Sequence, residues 1–223
     1  MSNLQKRILT SIIVLPLSIF FIFKGEELLL SFLFIIFFIA NHELFSVFRK
    51  KKIIIFLDLI LILSLFSIYY LRDNNHISFQ LLLWFIILTI CSDVGGYVFG
   101  KLLKWKKLTS ISPKKTFSGV LGSFILSLFS LFIMIKLSNI LFELNLIQVL
   151  MLDFSKPKFF FVAIILSLIA QSGDLTISYF KRLEKVKDTG KILPGHGGIF
   201  DRIDSLMFVV IFGFLLYNFN IIP

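Results

Sequence analysis

Cysteine is nearly absent: a single Cys91, inside a hydrophobic segment, excludes a disulfide framework and a cysteine-based metal site. Charge is scarce and one-sided, with 13 Asp and Glu against 23 Lys and Arg in 223 residues. Histidine occurs three times, and His42 has no metal-ligand partner at helical spacing. Internal repeats and low-complexity linkers are missing, so residues 1–223 read as one domain. What fills the chain is apolar. Hydrophobic residues make up 57% and the mean hydropathy is +0.95, too apolar for an ordinary soluble domain. The 29 Phe carry no functional message by themselves.

Apolar runs predict membrane helices near 8–23, 28–46, 53–71, 79–100, 119–135, 158–180 and 204–220. Most approach the roughly 20 residues needed to cross a bilayer. The expected fold is therefore all-α and polytopic, with about seven transmembrane helices. Lys6-Arg7 and the following run resemble a signal peptide, but no small-x-small cleavage site follows and further spans do, so the run reads as a first helix, kinked at Pro16. Lys6, Arg7, Arg49–Lys52, six lysines in 101–115 and six Lys/Arg in 181–202 hold 18 of the 23 basic residues on one side. That asymmetry predicts a cytoplasmic N-terminus and an outer C-terminus. Residues 138–152, apolar but broken by Asn139, Glu143, Asn145 and Gln148, read as an interfacial or re-entrant helix. Were they to span, the two basic loops would lie on opposite faces.

Chemistry concentrates in 171–204, where acids, bases, a His and five glycines interrupt the apolar pattern. Gln171, Asp174, Ser178 and Lys181 fall at i, i+3, i+7 and i+10 and share one helix face. A basic loop follows, then Pro194-Gly195-His196-Gly197-Gly198 and Asp201-Arg202-Ile203-Asp204. Glycines admit close backbone approach, and successive free N–H groups form an anion-binding nest. Flanking carboxylates suit the divalent cation that accompanies nucleotide phosphates. The stretch reads as a phosphate-handling site at a membrane surface. Two further features belong with it. Asp93 is an acid within a span, expensive unless it faces a polar cavity, and Gly96 and Gly100 make a GxxxG face. Ser112-Pro113-Lys114-Lys115-Thr116 places two lysines between hydroxyls suited to phosphate oxygens. Glu43 and Asp58, near inner helix ends, either pair with Lys50–Lys52 or line the same cavity.

These residues resemble the phosphatidate cytidylyltransferase (CDP-diacylglycerol synthase) family of polytopic membrane enzymes. The family pattern S-x-x-K-R-x4-K-D-x4-[LI]-P-G-H-G-G-x-x-D-R-x-D appears without insertion from Ser178 to Asp204. Gln171-x-Gly173-Asp174, Asp93…Tyr97…Gly100 and the Ser-Pro-Lys-Lys-Thr loop are also similar, so 90–205 carries the resemblance. Ser118 stands where members often have Glu, Gly96 where Ala is common, and the chain looks short enough to lack a peripheral helix.

The resemblance implies transfer of the cytidylyl group of CTP to phosphatidate, giving CDP-diacylglycerol and pyrophosphate, at the cytoplasmic face of the cell membrane. A phosphate monoester has its second pKa near about 6, so phosphatidate is already an oxyanion nucleophile and needs no general base. Catalysis reduces to positioning and charge neutralisation. Asp174 and Asp201 are the expected Mg²⁺ ligands, with Ser178 beside them. Lys181, Arg182, Lys187 and Arg202 are expected phosphate clamps; His196 and the Gly195, Gly197 and Gly198 backbone are expected donors to phosphate. Asp188 and Asp204 would orient basic side chains, and Asp93, Lys114, Lys115 and Thr116 would meet substrate. Expected partners are CTP, phosphatidate and membrane lipids, with a homodimer also allowed and no nucleic acid. The competing readings are a CTP-dependent lipid or polyprenol kinase and, ranked below it, a small ion-coupled transporter; the latter usually places polar groups near the bilayer midplane in repeated, broken helices.

Overall fold

A computed structural model describes residues 3–223 other than 110, 111, 113, 114, 148–151, 191 and 196. Seven helices follow in order: α1 (Asn3–Lys24), α2 (Glu26–Val47), α3 (Lys51–Asp73), α4 (His76–Leu103), α5 (Phe117–Glu143), α6 (Pro157–Leu183) and α7 (Phe200–Asn218). Among the described residues there is no strand, only isolated bridges at Lys107–Thr116 and Leu193–Gly197. A helix satisfies its own backbone groups, which lipid cannot do, so long apolar segments take this form. Helices α2 to α6 are long and apolar enough to cross a membrane, and among the described residues α1 adds an apolar stretch over Ile12–Lys24. Helix α7 starts with Asp201, Arg202 and Asp204 and turns apolar after them. The protein is an all-α, multi-pass membrane protein.

Local chemistry sets the helix ends. Gly25, with φ of 70°, separates α1 from α2. Asn75 and Ser78 form a reciprocal capping box that starts α4, and left-handed Lys104 ends it. Thr116 accepts from Gly119 N and caps α5. Pro16 lies inside α1, which remains helical on both sides.

Residues 138–147 depart from the sequence expectation for 138–152, of which 148–151 lie outside the described residues. Ser138–Glu143 simply continue α5, because Asn139 and Glu143 are four apart on one exposed stripe and do not interrupt the helix. The helix stops where Asn145 turns to φ of 55°. No separate helix stands between α5 and α6 among the described residues. Helix parity therefore survives, and the loops after α4 and after α6 meet at the same end of the bundle.

Helix α4 is the axis of the bundle, packed against α3, α5, α6 and α7. Its Trp84 is fully buried, ringed by Phe85, Phe154 and Phe159, and its indole N–H donates to Ser130 Oγ at 3.2 Å. In lipid, such packing rather than water exclusion holds helices together, so backbones must approach closely. The α4–α5 crossing achieves this with glycine on both sides. A Cβ on Gly95 would lie 2.3 Å from Gly122 O, and one on Gly119 would lie 2.8 Å from Gly96 O. The contact face is thus Gly95 and Gly96 against Gly119 and Gly122. It continues to Gly100, whose added Cβ would lie 3.1 Å from Thr116 Oγ1 and 3.8 Å from Gly119 Cα, so the Gly96–Gly100 face read from the sequence does meet α5. Ser123 Oγ adds a hydrogen bond to Ser92 O at 2.8 Å.

Candidate active site

The polar ends of α4 to α7 and the two basic loops enclose a cavity of about 460 Å³. Gln171, Asp174, Ser178 and Lys181, the stripe read from α6, all line it. Asp93 and Tyr97 come from α4, Ser112, Lys115 and Thr116 from the first loop, and Arg182, Lys187 and Asp188 from the end of α6 and the second loop. Asp201, Arg202, Asp204 and Ser205 project from the first turns of α7. Two loops some seventy residues apart in the chain meet here because α5 and α6 form an antiparallel pair, returning the backbone to the end it left.

The interior is not a loose set of charges. Lys115 Nζ pairs with Asp174 Oδ2 at 2.7 Å and reaches Gln171 O at 3.4 Å, so the first loop is tied to α6. Ser178 Oγ donates to Asp174 Oδ1 at 3.2 Å. Ser205 Oγ donates to Asp93 Oδ1 at 3.4 Å while its N–H donates to Asp204 Oδ1 at 2.9 Å, linking α4 to α7. Lys181 Nζ pairs with Asp201 Oδ1 at 2.7 Å, and both side chains are less than one-tenth exposed. Asp201 Oδ2 accepts from Thr189 N at 2.7 Å, Thr189 Oγ1 at 3.1 Å and Gly198 N at 3.1 Å.

Several sequence expectations change in detail. Asp201 Oδ1 is engaged by Lys181 and Oδ2 by Thr189 and Gly198, so this carboxylate ties α6 and the second loop to α7, much as Asp174 is engaged by Lys115 and Ser178. Lys181 is likewise held, and among the described residues Arg182, Lys187 and Arg202 are the exposed cations at the cavity. Asp188 and Asp204 form no ion pair with a described residue. Gly195 and Gly197 adopt φ of 81° and 89°, left-handed values that glycine tolerates, and build a tight turn closed by Leu193 N to Gly197 O at 3.0 Å. None of Gly195, Gly197 and Gly198 lines the cavity, and the Gly198 N–H is already donated to Asp201. His196 and Lys114 lie outside the described residues. His42 is exposed.

Sequence reasoning gave no role to Thr189 and only an open one to Glu43. Buried Glu43 on α2 accepts from Ile199 N and Phe200 N, both at 3.0 Å. The available signal was its charge inside an apolar helix, which is costly without a partner.

The cavity's described walls carry five carboxylates (Asp93, Asp174, Asp188, Asp201 and Asp204) and five cations (Lys115, Lys181, Arg182, Lys187 and Arg202). A triphosphate entering this balanced lining would bring uncompensated negative charge. Among the described residues no three His, Cys, Asp or Glu converge as a preformed metal cage. Magnesium does not require one, since it favours one or two carboxylates, waters and the substrate's own phosphates. Asp174, Asp93 and Asp204 offer hard oxygens to the same space, so the lining fits such an ion.

A profile of the cytidylyltransferase family matches residues 51–220. The chain belongs to that family. Cytidylyltransferase relatives reach beyond the matched region. The phosphatidate cytidylyltransferase of Rickettsia felis is 32% identical over 218 residues, covering 92% of this chain and 88% of its own. That of Staphylococcus haemolyticus is 40% identical over 146 residues, covering 65% of this chain and 51% of its own. That of Helicobacter pylori strain 26695 is 37% identical over 147 residues, covering 65% and 48%. The chain thus spans about half the length of the Staphylococcus and Helicobacter relatives.

Proposed function

We propose that this cytidylyltransferase acts on CTP and phosphatidate, forming CDP-diacylglycerol and pyrophosphate. The carrying observation is the cavity itself: residues from two separated loops and four apolar helices converge at one end of the bundle. That location suits one soluble substrate and one lipid. A phosphatidate oxygen attacks the α-phosphorus of CTP, the bond from the α-phosphorus to the bridging oxygen breaks, and pyrophosphate leaves with that electron pair. The attacking oxygen is already ionised near neutral pH, so no side chain must remove a proton.

Asp174 would hold Mg²⁺, with Asp93 and Asp204 facing the same space; bound there, the ion supplies charge stabilisation at the phosphates. Arg182, Lys187 and Arg202 would clamp phosphate oxygens, and Lys115 would exchange part of its contact with Asp174 for substrate. Lys181 and Asp201 fix the floor of the site. Tyr97, exposed on the cavity wall, and the exposed Phe117 and Leu121 of α5 give a lipid an apolar approach. The basic-loop asymmetry supports a cytoplasmic site and N-terminus in the cell membrane.

The test uses purified protein, phosphatidate, Mg²⁺ and CTP labelled separately at the α and γ positions. Cytidylyl transfer puts α label, and no γ label, into lipid. Label from the γ position in lipid would assign a kinase instead, and no label in lipid from folded protein would overturn both.

A further inference from the structure

We propose that Glu43 is a positioning residue that holds the 189–200 loop and the start of α7 against the cavity. The proposal deepens the functional reading above and rests on it for the meaning of the cavity. Glu43 lies outside the residues matched by the family profile, yet its carboxylate meets the centre of the motif.

Helix α7 begins without a cap of its own. Its N-cap is Ile199, whose side chain has no oxygen to accept the N–H groups that a helix start leaves unpaired. Glu43 supplies what is missing from a different helix. Its Oε1 accepts from Ile199 N and its Oε2 from Phe200 N, each at 3.0 Å, and Thr189 Oγ1 reaches Oε2 at 3.4 Å. Glu43 is 1% exposed and has no Lys or Arg within ion-pair distance among the described residues. The positive end of α7 therefore provides its electrostatic compensation.

The loop is shaped around this carboxylate. A Cβ on Gly190 would stand 2.5 Å from Glu43 Oε1, and one on Gly198 would stand 2.4 Å from Oε2. Two glycines thus form the walls of the slot that Glu43 fills. Asp201 grips the same segment from the cavity side, through Thr189 N and Gly198 N, so Thr189 is caught between two carboxylates. Helix α1 adds a third hold, as Thr10 Oγ1 donates to Pro194 O at 2.9 Å. Because Asp201, Arg202 and Asp204 stand on the first two turns of the helix that Glu43 caps, the angle of that helix start fixes where three cavity side chains point.

The test compares wild type with Glu43→Gln and Glu43→Asp in lipid nanodiscs, using steady-state kinetics and amide hydrogen exchange. Gln keeps the shape but sets an amide NH₂ against N–H donors, whereas Asp keeps the charge on a shorter arm. Glu43→Gln should lower kcat/KM for CTP on the order of 10- to 100-fold, the scale of misplaced catalytic groups. The KM for phosphatidate should stay within about twofold. Exchange should rise in 187–203 and nowhere else, with Glu43→Asp recovering part of both effects. Glu43→Gln turnover within about threefold of wild type would overturn the proposal, as would exchange rising throughout the bundle. Should Glu43→Gln not fold, Gly190→Ala, which drives a methyl against Oε1, must produce the same local loosening and loss of kcat/KM. Wild type that transfers no cytidylyl group would defeat the functional reading, while loop exchange still judges Glu43.

Discussion

Asp174→Asn and Asp201→Asn should both impair catalysis, yet they should part sharply in stability. Asp201 accepts the Lys181 ammonium on one oxygen and three loop donors on the other. Asparagine has a single oxygen, so it serves either Lys181 or the loop, and its NH₂ then faces donors on the remaining side. Breaking a buried pair by removing one partner costs about 3–5 kcal/mol, and stranded loop donors bring about 1–3 kcal/mol more, overlapping rather than adding in full. A loss of roughly 4 kcal/mol is therefore expected, a large share of typical folding stabilities of about 5–15 kcal/mol. The Lys115–Asp174 pair has side chains 22% and 32% exposed, so its removal should cost about 0–1 kcal/mol after solvent screening. Unfolding of purified protein by graded SDS in mixed micelles measures both. If Asp201→Asn is as stable as Asp174→Asn while losing all Mg²⁺-dependent turnover, Asp201 is a metal ligand and the anchoring argument fails.

Two further outcomes test separate parts of the structure. Gly122→Ala places a methyl 2.4 Å from Phe99 Cβ and 2.5 Å from Gly95 O, so it should destabilise by about 1–3 kcal/mol and lower activity. Gly96→Ala meets Ser123 Oγ, a rotatable group, at 3.0 Å and Gly119 O at an ordinary 3.9 Å, and should cost less in the same SDS titration. Chelation by EDTA should abolish cytidylyl transfer but leave the unfolding midpoint unchanged, because ion pairs and hydrogen bonds already hold the cavity walls. A fall in the midpoint on chelation would make the metal structural.

The helices and the cavity were legible because each depends on local pattern. Apolar length set the helices, and the spacing of Gln171, Asp174, Ser178 and Lys181 put all four on the wall where they stand. Basic-loop parity brought Lys115 and Lys187 to one end. The roles inside the motif were less legible. A carboxylate held by a loop and one held by a single lysine both need a polar interior, so the sequence treats Asp201 and Asp174 alike, although Asp201 is buried with Lys181, Thr189 and Gly198 and Asp174 is partly exposed beside Lys115. Gly198 looks like a phosphate nest when its neighbours are sequential, and its actual neighbour is Glu43, 155 positions away. Residues 138–143 misled through composition: Asn139 and Glu143 lower the apolar score of α5, but their shared exposed stripe leaves the helix intact.

The long chain separation between Glu43 and its partners has a consequence for biosynthesis. Phe200 follows Glu43 by 157 residues, and ribosomes add about 5–20 residues per second, so roughly 10–30 seconds pass before the acceptor meets its donors. Throughout that interval the nascent α2 carries an acid with no permanent partner. Water at the membrane boundary, or the adjacent Arg49–Lys52 cluster, must shelter it until α7 is made. Arrival of α7 closes the last link between the first and final parts of the chain, so truncated or stalled products would retain an exposed acidic mark that finished molecules hide.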